Sequence, residues 1–440
     1  MWFRQAALAA LLYVTCAIAR AQALAAPPPP LSPSPRPSPA AFTLDAAFAR
    51  VARAHPELRL FGARQDALLA ELDAAALRPP RRFELEIEDA LGIGDARSFE
   101  RASATLGLAG VFERGGKLDA RRTLAQGRID ALAVQREAQR LDLLAEVARR
   151  WLAAQAARAE AAIAREDIAQ RGRTVAAARR RLQAGASPES VLLTAQAALA
   201  RAEMTLARAT QREDAARRAL AALWGERDPA FALTDADLLA LPAIAGMDAL
   251  AVLLDEVPEL MQIVDERRIR EARLRLARSN AVPDLDWRLG VRWLQEGRDA
   301  ALVGGVSLPL GSRARAQPEI RVAEAELAAL ELEREARDVA LYATLAEAHG
   351  RYRVARLEVE RTREDILPRL ARAERAAERA YRAGATSYLE WAQLQAEITE
   401  ARRRQLDAAL EAQRALIELQ RLTGAPLLVG AAAKTQGTPP

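Results

Sequence analysis

The chain is poor in the residues that build enzyme sites and disulfide scaffolds, with one cysteine and two histidines in 440 positions. The cysteine, Cys16, falls inside an N-terminal export signal, so the mature chain carries no disulfide even in an oxidising compartment. The rival reading, a lipidated Cys16, has a poor lipoprotein signal in Tyr13-Val14-Thr15. His55 and His349 lie far apart, whereas a zinc or copper site needs a convergent set of nitrogen or sulfur ligands. No nucleophile elbow or Gly-rich phosphate loop is legible, and Gly115-Gly116-Lys117 lacks the spacing of a nucleotide loop. The expectation is a protein that is not an enzyme, with no catalytic residues, no metal site and no cofactor.

Aromatics are only 4% of the chain, too few for a thick globular interior, while alanine interleaved with Arg and Glu favours long helices packed in thin layers. Past the signal no stretch reaches 18 consecutive apolar residues, which excludes a membrane-spanning helix and leaves any membrane role to strands. The 64 basic and 59 acidic residues are mixed at short range, so the net charge of +5 forms no phosphate-binding stripe. Nucleic acid is not the expected partner.

Residues 1–23 read as a secretory signal: Arg4, an apolar run from Ala6 to Ile18, then Ala19-Arg20-Ala21 and Ala21-Gln22-Ala23 as cleavage sites. A Pro-rich leader follows over 24–41, and a small, polar, flexible tail is expected over 425–440.

What the chain does have is a duplication at an interval of about 200 residues. His55-Pro56-Glu57-Leu58 returns as Val257-Pro258-Glu259-Leu260, and Leu223-Trp224-Gly225 returns as Leu422-Thr423-Gly424. Between them, Arg181-Leu182-Gln183-Ala184-Gly185-Ala186-Ser187 returns as Ala380-Tyr381-Arg382-Ala383-Gly384-Ala385-Thr386. The repeats span 42–225 and 247–424, joined by a linker over 226–246 that contains Asp228-Pro229 and Pro242.

Each repeat reads as a helix, a β-hairpin and a long helical hairpin. In the first, helical spacing runs from Leu44 to about Leu77 and Pro79-Pro80 stops it. Strands follow over about 81–112, where Phe83, Leu85 and Ile87 alternate with Glu84, Glu86 and Glu88. Asp89 to Ser98 form the turn, and Ala102, Ala104, Leu106 and Leu108 are in phase on the partner strand. Helical patterning then runs from Gly116 to a tip at Gly185, a length of roughly 100 Å. Ser187 is the expected cap and Pro188 the first residue of the returning helix. The second repeat predicts strands over about 283–310, with Trp287, Leu289, Val291 and Trp293 on one face and Asp286, Arg288 and Arg292 on the other. Its helix runs from about Ala316 to Ala383 with a bend expected at Pro368, and turns at Gly384.

Strands of this length and two-faced pattern match a transmembrane β-barrel, although the pattern alone favours half-buried hairpins on a soluble sheet. Context decides for the membrane: the chain is exported, it has no other core for the strands to cover, and the hairpins are attached to very long helices. Four strands cannot close a barrel, and open edges are not tolerated in lipid, so the barrel must be shared between chains.

These residues resemble the TolC-like outer membrane efflux proteins, most closely their heavy-metal cation (CzcC-like) branch. The likeness covers about Phe42 to Gly424. It rests on His55-Pro56-Glu57-Leu58, Phe83-Glu84-Leu85-Glu86-Ile87-Glu88, Glu113-Arg114-Gly115-Gly116-Lys117, Ala219-Leu220-Ala221-Ala222-Leu223-Trp224-Gly225, Val282-Pro283-Asp284, Leu308-Pro309-Leu310, Ile366-Leu367-Pro368 and Tyr381-Arg382-Ala383-Gly384. The resemblance implies a mainly α fold with a small transmembrane β part, and a homotrimer with a twelve-stranded barrel and a periplasmic α-helical barrel. It implies the exit duct of a tripartite efflux system, meeting a periplasmic adaptor and an inner membrane transporter of the resistance-nodulation-division type, with heavy-metal cations as cargo. In such a barrel Phe83, Leu85, Ile87, Trp287, Leu289, Val291 and Trp293 face lipid, and Glu84, Glu86, Glu88, Asp286, Arg288 and Arg292 face the lumen. The competing expectation is a soluble periplasmic coiled-coil scaffold or adaptor.

By the same resemblance the helical tips hold the gate and meet the adaptor. Gly185, Ser187, Tyr381, Gly384, Thr386 and Glu390 are the candidates, with Tyr381 at the position of a gate tyrosine and Glu390 at that of a gate carboxylate. Thr386 stands where an arginine is common, Gln393 where a second acid is common, and Val191 takes the place of an acid in the first half, which argues against a network of ionic locks.

Overall fold

The computed structural model describes residues 41–91, 99 and 101–424. The export signal, the leader up to residue 40, the 92–98 part of the first turn and the 425–440 tail lie outside the described residues.

Two helices stand where the sequence predicted one between Leu44 and Leu77. α1 spans Leu44–Ala54 and α2 spans Pro56–Ala75. The break is local: the residue before a proline is pushed out of helical geometry, and His55 sits at φ −66°, ψ 127°. Its Nδ1 then accepts the Glu57 backbone N–H at 3.3 Å and caps the second helix. Strands β1 (Arg82–Glu88) and β2 (Ser103–Phe112) follow, then α3 over Lys117–Gln183. At 67 residues α3 is about 100 Å long. α4 (Glu189–Ala221) returns along it.

The second copy repeats the order. After a short α5 (Met247–Ala251), α6 spans Pro258–Asn280 and opens on a proline as α2 does. β3 (Leu285–Leu294) and β4 (Asp299–Ser307) lead to α7, which begins at Ser312, four residues before the expected start, and runs to Arg361. α8 (Leu367–Ala383) and α9 (Tyr388–Thr423) complete the hairpin. The bend expected at Pro368 is a π-helical turn over Thr362–Ile366. Proline offers no N–H and its ring crowds the carbonyl four residues back, so a widened turn just before it absorbs the misfit.

The four strands form one antiparallel sheet in the order β1-β2-β3-β4. Its central pair, β2 with β3, joins the two repeats and places Gly107 opposite Gly290. The hairpins thus share one sheet.

α3 is the spine, packed against α2, α4, α6 and α9. Eleven of its 21 buried residues are alanine, which lets helices approach closely with little side-chain volume between them. Large side chains gather in two places. One cluster sets Phe42, Val51, Trp151, Leu220, Phe231 and Ile417 around the start of the first repeat. The other sets Leu254, Leu260, Leu345, Tyr352, Leu416 and Leu422 around the start of the second. Among the described residues no helix is long and apolar enough to cross a membrane.

Candidate functional site

Two regions carry function-bearing residues: the sheet and the helical tips. In the sheet, strand alternation and register combine into rows. Phe83 lies beside Leu108 and Leu289, Leu85 beside Leu106, Val291 and Leu302, and Ile87 beside Ala104 and Trp293. This face is bare, with Phe83 71% and Leu302 77% exposed. Trp287 differs from the other predicted lipid-facing residues because its indole covers Gly110, where any Cβ would come within 2.9 Å of the ring. Phe112 packs beside it at 5.8 Å between ring centroids. Trp293 is half exposed.

The opposite face carries Glu84, Glu86, Glu88, Asp286, Arg288 and Arg292, together with Arg82 and Asp299. Arg292 bridges the repeats: it pairs with Glu88 at 2.7 Å and donates from Nε to the Thr105 hydroxyl at 3.0 Å. Arg288 lies 3.9 Å from Glu86.

The strands are fixed to the helices by a charged joint. Lys117 pairs with Asp284 at 2.8 Å, the same carboxylate accepts the Arg114 backbone N–H at 3.1 Å, and Glu113 holds Arg121 through both oxygens. The Gly115-Gly116-Lys117 segment is therefore a strand-to-helix corner.

Both tips end their long helix in the same way. Gly185 and Gly384 take positive φ, 70° and 81°, where any side chain would be strained. The N–H of Ala186 reaches the Arg181 carbonyl at 2.8 Å, and that of Ala385 reaches the Ala380 carbonyl at 2.9 Å, the six-to-one bond of a Schellman motif. The returning helices start differently. Ser387 caps α9 by accepting the Glu390 N–H at 3.3 Å, and the Glu390 carboxylate meets the Thr386 hydroxyl. Ser187 does not cap α4: Pro188 occupies the cap position and supplies no side-chain bond, so the helix starts at Glu189, one residue later than predicted. In the register of the repeats Pro188 stands where Ser387 does, so the first tip has no side-chain acceptor at its cap position.

Tyr381 is 3% exposed, packed on Trp391 at 5.2 Å between ring centroids. Burial pushes its phenol above the usual value, so it remains protonated, and its hydroxyl has no hydrogen-bond partner among the described residues. The carbonyl of Tyr381 accepts from Arg181 Nη1 at 2.6 Å, while Nη2 reaches the Ala186 carbonyl at 3.3 Å. The same guanidinium stands 4.9 Å from the Tyr381 ring centre. One arginine thus ties the two tips together.

Above the tips the hairpins are joined by a buried polar ladder. Asp167 accepts from Arg171 at 2.9 Å and from Thr399 at 3.1 Å, and Thr174 donates to Gln395 at 2.9 Å. Glu374 accepts the Trp391 indole N–H at 3.0 Å. Neither Arg181 nor this ladder was singled out from the sequence, because both lie among many similar Arg, Gln and Thr positions on long helices. Among the described residues no group of three or more His, Cys, Asp or Glu is placed to hold a metal ion.

The chain matches the family of outer membrane efflux proteins over residues 40–226 and 250–425. It is 28% identical over 384 residues, 87% of this chain and 90% of the relative, to the cobalt-zinc-cadmium resistance protein CzcC of Cupriavidus metallidurans. It is 26% identical over 259 residues, 57% of this chain and 58% of the relative, to the nickel-cobalt-cadmium resistance protein NccC of Alcaligenes xylosoxydans xylosoxydans. Its fold is shared with solved structures of CusC (TM-score 0.72, 18% identity, 88% of this chain and 93% of that one) and of the outer-membrane channel OprN (0.73, 18%, 87% and 90%). The two tandem repeats are thus those of a known channel architecture, and the chain belongs to the outer membrane efflux protein family.

Proposed function

We propose that this chain is the exit duct of a tripartite efflux system, a passive conduit that carries heavy-metal cations across the outer membrane. As a family member it is an outer membrane protein whose long helices lie in the periplasm. The finer reading has three chains pooling their strands into a twelve-stranded barrel, with the helical hairpins forming a tunnel below it. A periplasmic adaptor joins the tips to an inner membrane transporter of the resistance-nodulation-division type.

The bare apolar face of the sheet carries this reading. About ten large apolar side chains stand on it, roughly half exposed, and leaving them in water costs on the order of 10 kcal/mol. That is comparable to the whole stability of an ordinary domain, so lipid must cover the face. Among the described residues the outer strands β1 and β4 each leave one edge unpaired, which in lipid has to be paired with another chain. On the lumenal face five carboxylates stand against three arginines. A negatively biased lumen favours cations. The names of CzcC and NccC, both metal resistance proteins, support the same cargo.

Gating belongs to the tips, with Thr386 and Glu390 from three chains narrowing the passage, Tyr381 held inside the tip by its packing on Trp391, and Gly185 and Gly384 shaping the turns. A ring of three Glu390 carboxylates would repel itself, so Glu390→Ala should raise single-channel conductance in a planar bilayer. Unchanged conductance would remove Glu390 from the gate.

The overall reading is tested on purified protein in detergent. Expected are heat-modifiable trimers, cation-selective conductance in a salt gradient, and quenching of Trp293 fluorescence by brominated lipid. A freely soluble monomer with unquenched tryptophans would instead make the chain a periplasmic scaffold or adaptor.

A further inference from the structure

The even mixture of charges along the sequence hides an asymmetry between the two ends of the sheet. Where the strands join the helices, residues 77–82, 113–122, 278–284 and 308–315 hold ten basic side chains against three acidic ones, a net of +7 in a chain whose total is +5. The two hairpin turns, residues 89–101 and 295–299, hold three basic side chains against five acidic ones, a net of −2.

Pairing inside the chain leaves the excess in place. Of the three acids at the helical end, Asp284 is taken by Lys117 and Glu113 by Arg121. Arg78, Arg81, Arg82, Arg114, Arg313 and Arg315 are exposed and pair with no carboxylate among the described residues. Like charges gathered at one rim repel one another in the free chain, and a negatively charged surface relieves that repulsion.

Strand alternation places several of them on the apolar side. Arg81 continues the phase of Phe83, Leu85 and Ile87, and one step beyond the pairing of Arg82 with Ala109 it falls level with Gly110, Trp287 and Val306. Arg114 continues the phase of Leu108 and Phe112, two residues past the end of β2. At the other edge Leu308 and Leu310, 43% and 86% exposed, continue the phase of Val306, and Gly311 turns the chain into α7 just before Arg313 and Arg315. The apolar rows thus end in the pair of Trp287 and Phe112 and then in arginine, the order of a bilayer's core, interface and headgroup layer.

We propose that this rim binds the headgroups of anionic phospholipids in the leaflet that faces the periplasm. Arg81 and Arg114 hold headgroups beside the aromatic pair, and Arg313 and Arg315 hold them at the opposite edge of the sheet. Guanidinium forks match phosphodiester oxygens, and the exposed leucines beside them match acyl chains, so the ligand is a lipid and not free phosphate. The inference rests on the reading that lipid covers the apolar face, and adds which lipid is chosen and at which end.

The test uses the full-length protein in neutral detergent, titrated with fluorescent phosphatidylglycerol or with phosphatidylcholine of the same acyl chains, and with inorganic phosphate as competitor. Tighter binding of phosphatidylglycerol is expected, weakening with salt and surviving an excess of phosphate. Arg81→Gln with Arg114→Gln, and Arg313→Gln with Arg315→Gln, should each lower the affinity for phosphatidylglycerol about tenfold and leave that for phosphatidylcholine unchanged. Arg101→Gln with Arg298→Gln removes the same charge from the hairpin turns and should change neither. If a rim pair fails to fold, seen by circular dichroism, the parent's own lipid preference and the turn pair decide. Equal binding of the two lipids, displacement by phosphate, or an equal loss from the turn pair would each overturn the proposal. Conductance in a planar bilayer separates the two readings: a conducting protein without lipid preference loses the basic rim and keeps the duct, and a non-conducting one that prefers phosphatidylglycerol loses the duct and keeps the rim.

Discussion

The two repeats follow one sequence plan and end in different mechanical states. In the first, the long helix is an unbroken rod with 21 buried residues. In the second, the equivalent helix is interrupted by the π turn, and its upper part, α7, buries only eight. The difference follows from position, because α3 is surrounded by α2, α4, α6 and α9, whereas α7 packs chiefly against α6 and α9. The uncovered side of α7 still carries Leu332, Val339 and Leu357, all more than half exposed. Their spacings of 7 and 18 residues set them on one helix face. A duplicated unit has therefore specialised: one copy is the spine of the chain, and the other leaves an apolar stripe uncovered, which the proposed trimer would seat against a neighbouring chain.

The sharpest way to break this comparison is to truncate large apolar side chains in each copy. Trp151, 2% exposed on α3, packs with Phe42 and Leu152 in the first cluster. Trp151→Ala should cost about 3–5 kcal/mol, seen as early loss of helical circular dichroism on heating in detergent. Leu332→Ala together with Leu357→Ala should leave the protomer within about 0.5 kcal/mol of the parent per site. The same pair should weaken the trimer, read as loss of the crosslinked band. If both variants unfold alike, or if the α7 pair leaves the trimer intact, the division of labour between the repeats is wrong.

A smaller effect probes the second cluster. Burial pushes the Tyr352 phenol from 10.0 up to about 12, and its hydroxyl donates to the Pro242 carbonyl. A pKa raised in the folded state gives stability that is complete below pH 10 and is lost as pH rises through 12. Tyr352→Phe should cost about 1 kcal/mol at neutral pH through the lost hydrogen bond. It should also remove this residue's share of the alkaline destabilisation. No comparable tyrosine stands in the first cluster, where Trp151 occupies the centre, so an alkaline transition unchanged by Tyr352→Phe would place its source elsewhere.

The sequence made the large features legible because they are written in period and punctuation. Alternation at Phe83 to Glu88 and at Leu285 to Trp293 named the strands and their two faces, and the glycines at 185 and 384 named the tips. Contacts between distant segments were not legible. Nothing local marks Arg181 as the residue that crosses to Tyr381, 200 positions away, or sets Asp167 against Thr399. The break at His55 was legible in principle, since the proline rule that forecast the bend at Pro368 applies equally there. Periodicity over Leu44 to Leu77 concealed it, because α1 and α2 continue the same apolar spacing across the corner.

The smallest difference between the repeats is also the cleanest, since it turns on one residue at each tip. Ser387 and Ser187 both follow a Schellman turn, yet only Ser387 accepts a helix N–H. At the first tip Pro188 takes the cap position and leaves α4 without a side-chain cap. Ser387→Ala should therefore cost about 1 kcal/mol, while Ser187→Ala should stay within about 0.5 kcal/mol. Hydrogen exchange localises the effect, with faster exchange expected at the first turn of α9 and none at that of α4. Equal protection in both variants would mean that the Thr386 to Glu390 contact holds the second tip by itself, leaving the serine redundant. That outcome would transfer the anchoring of α9 from its cap to the residue proposed for the gate, and would predict that Glu390→Ala loosens the turn as well as widening the passage.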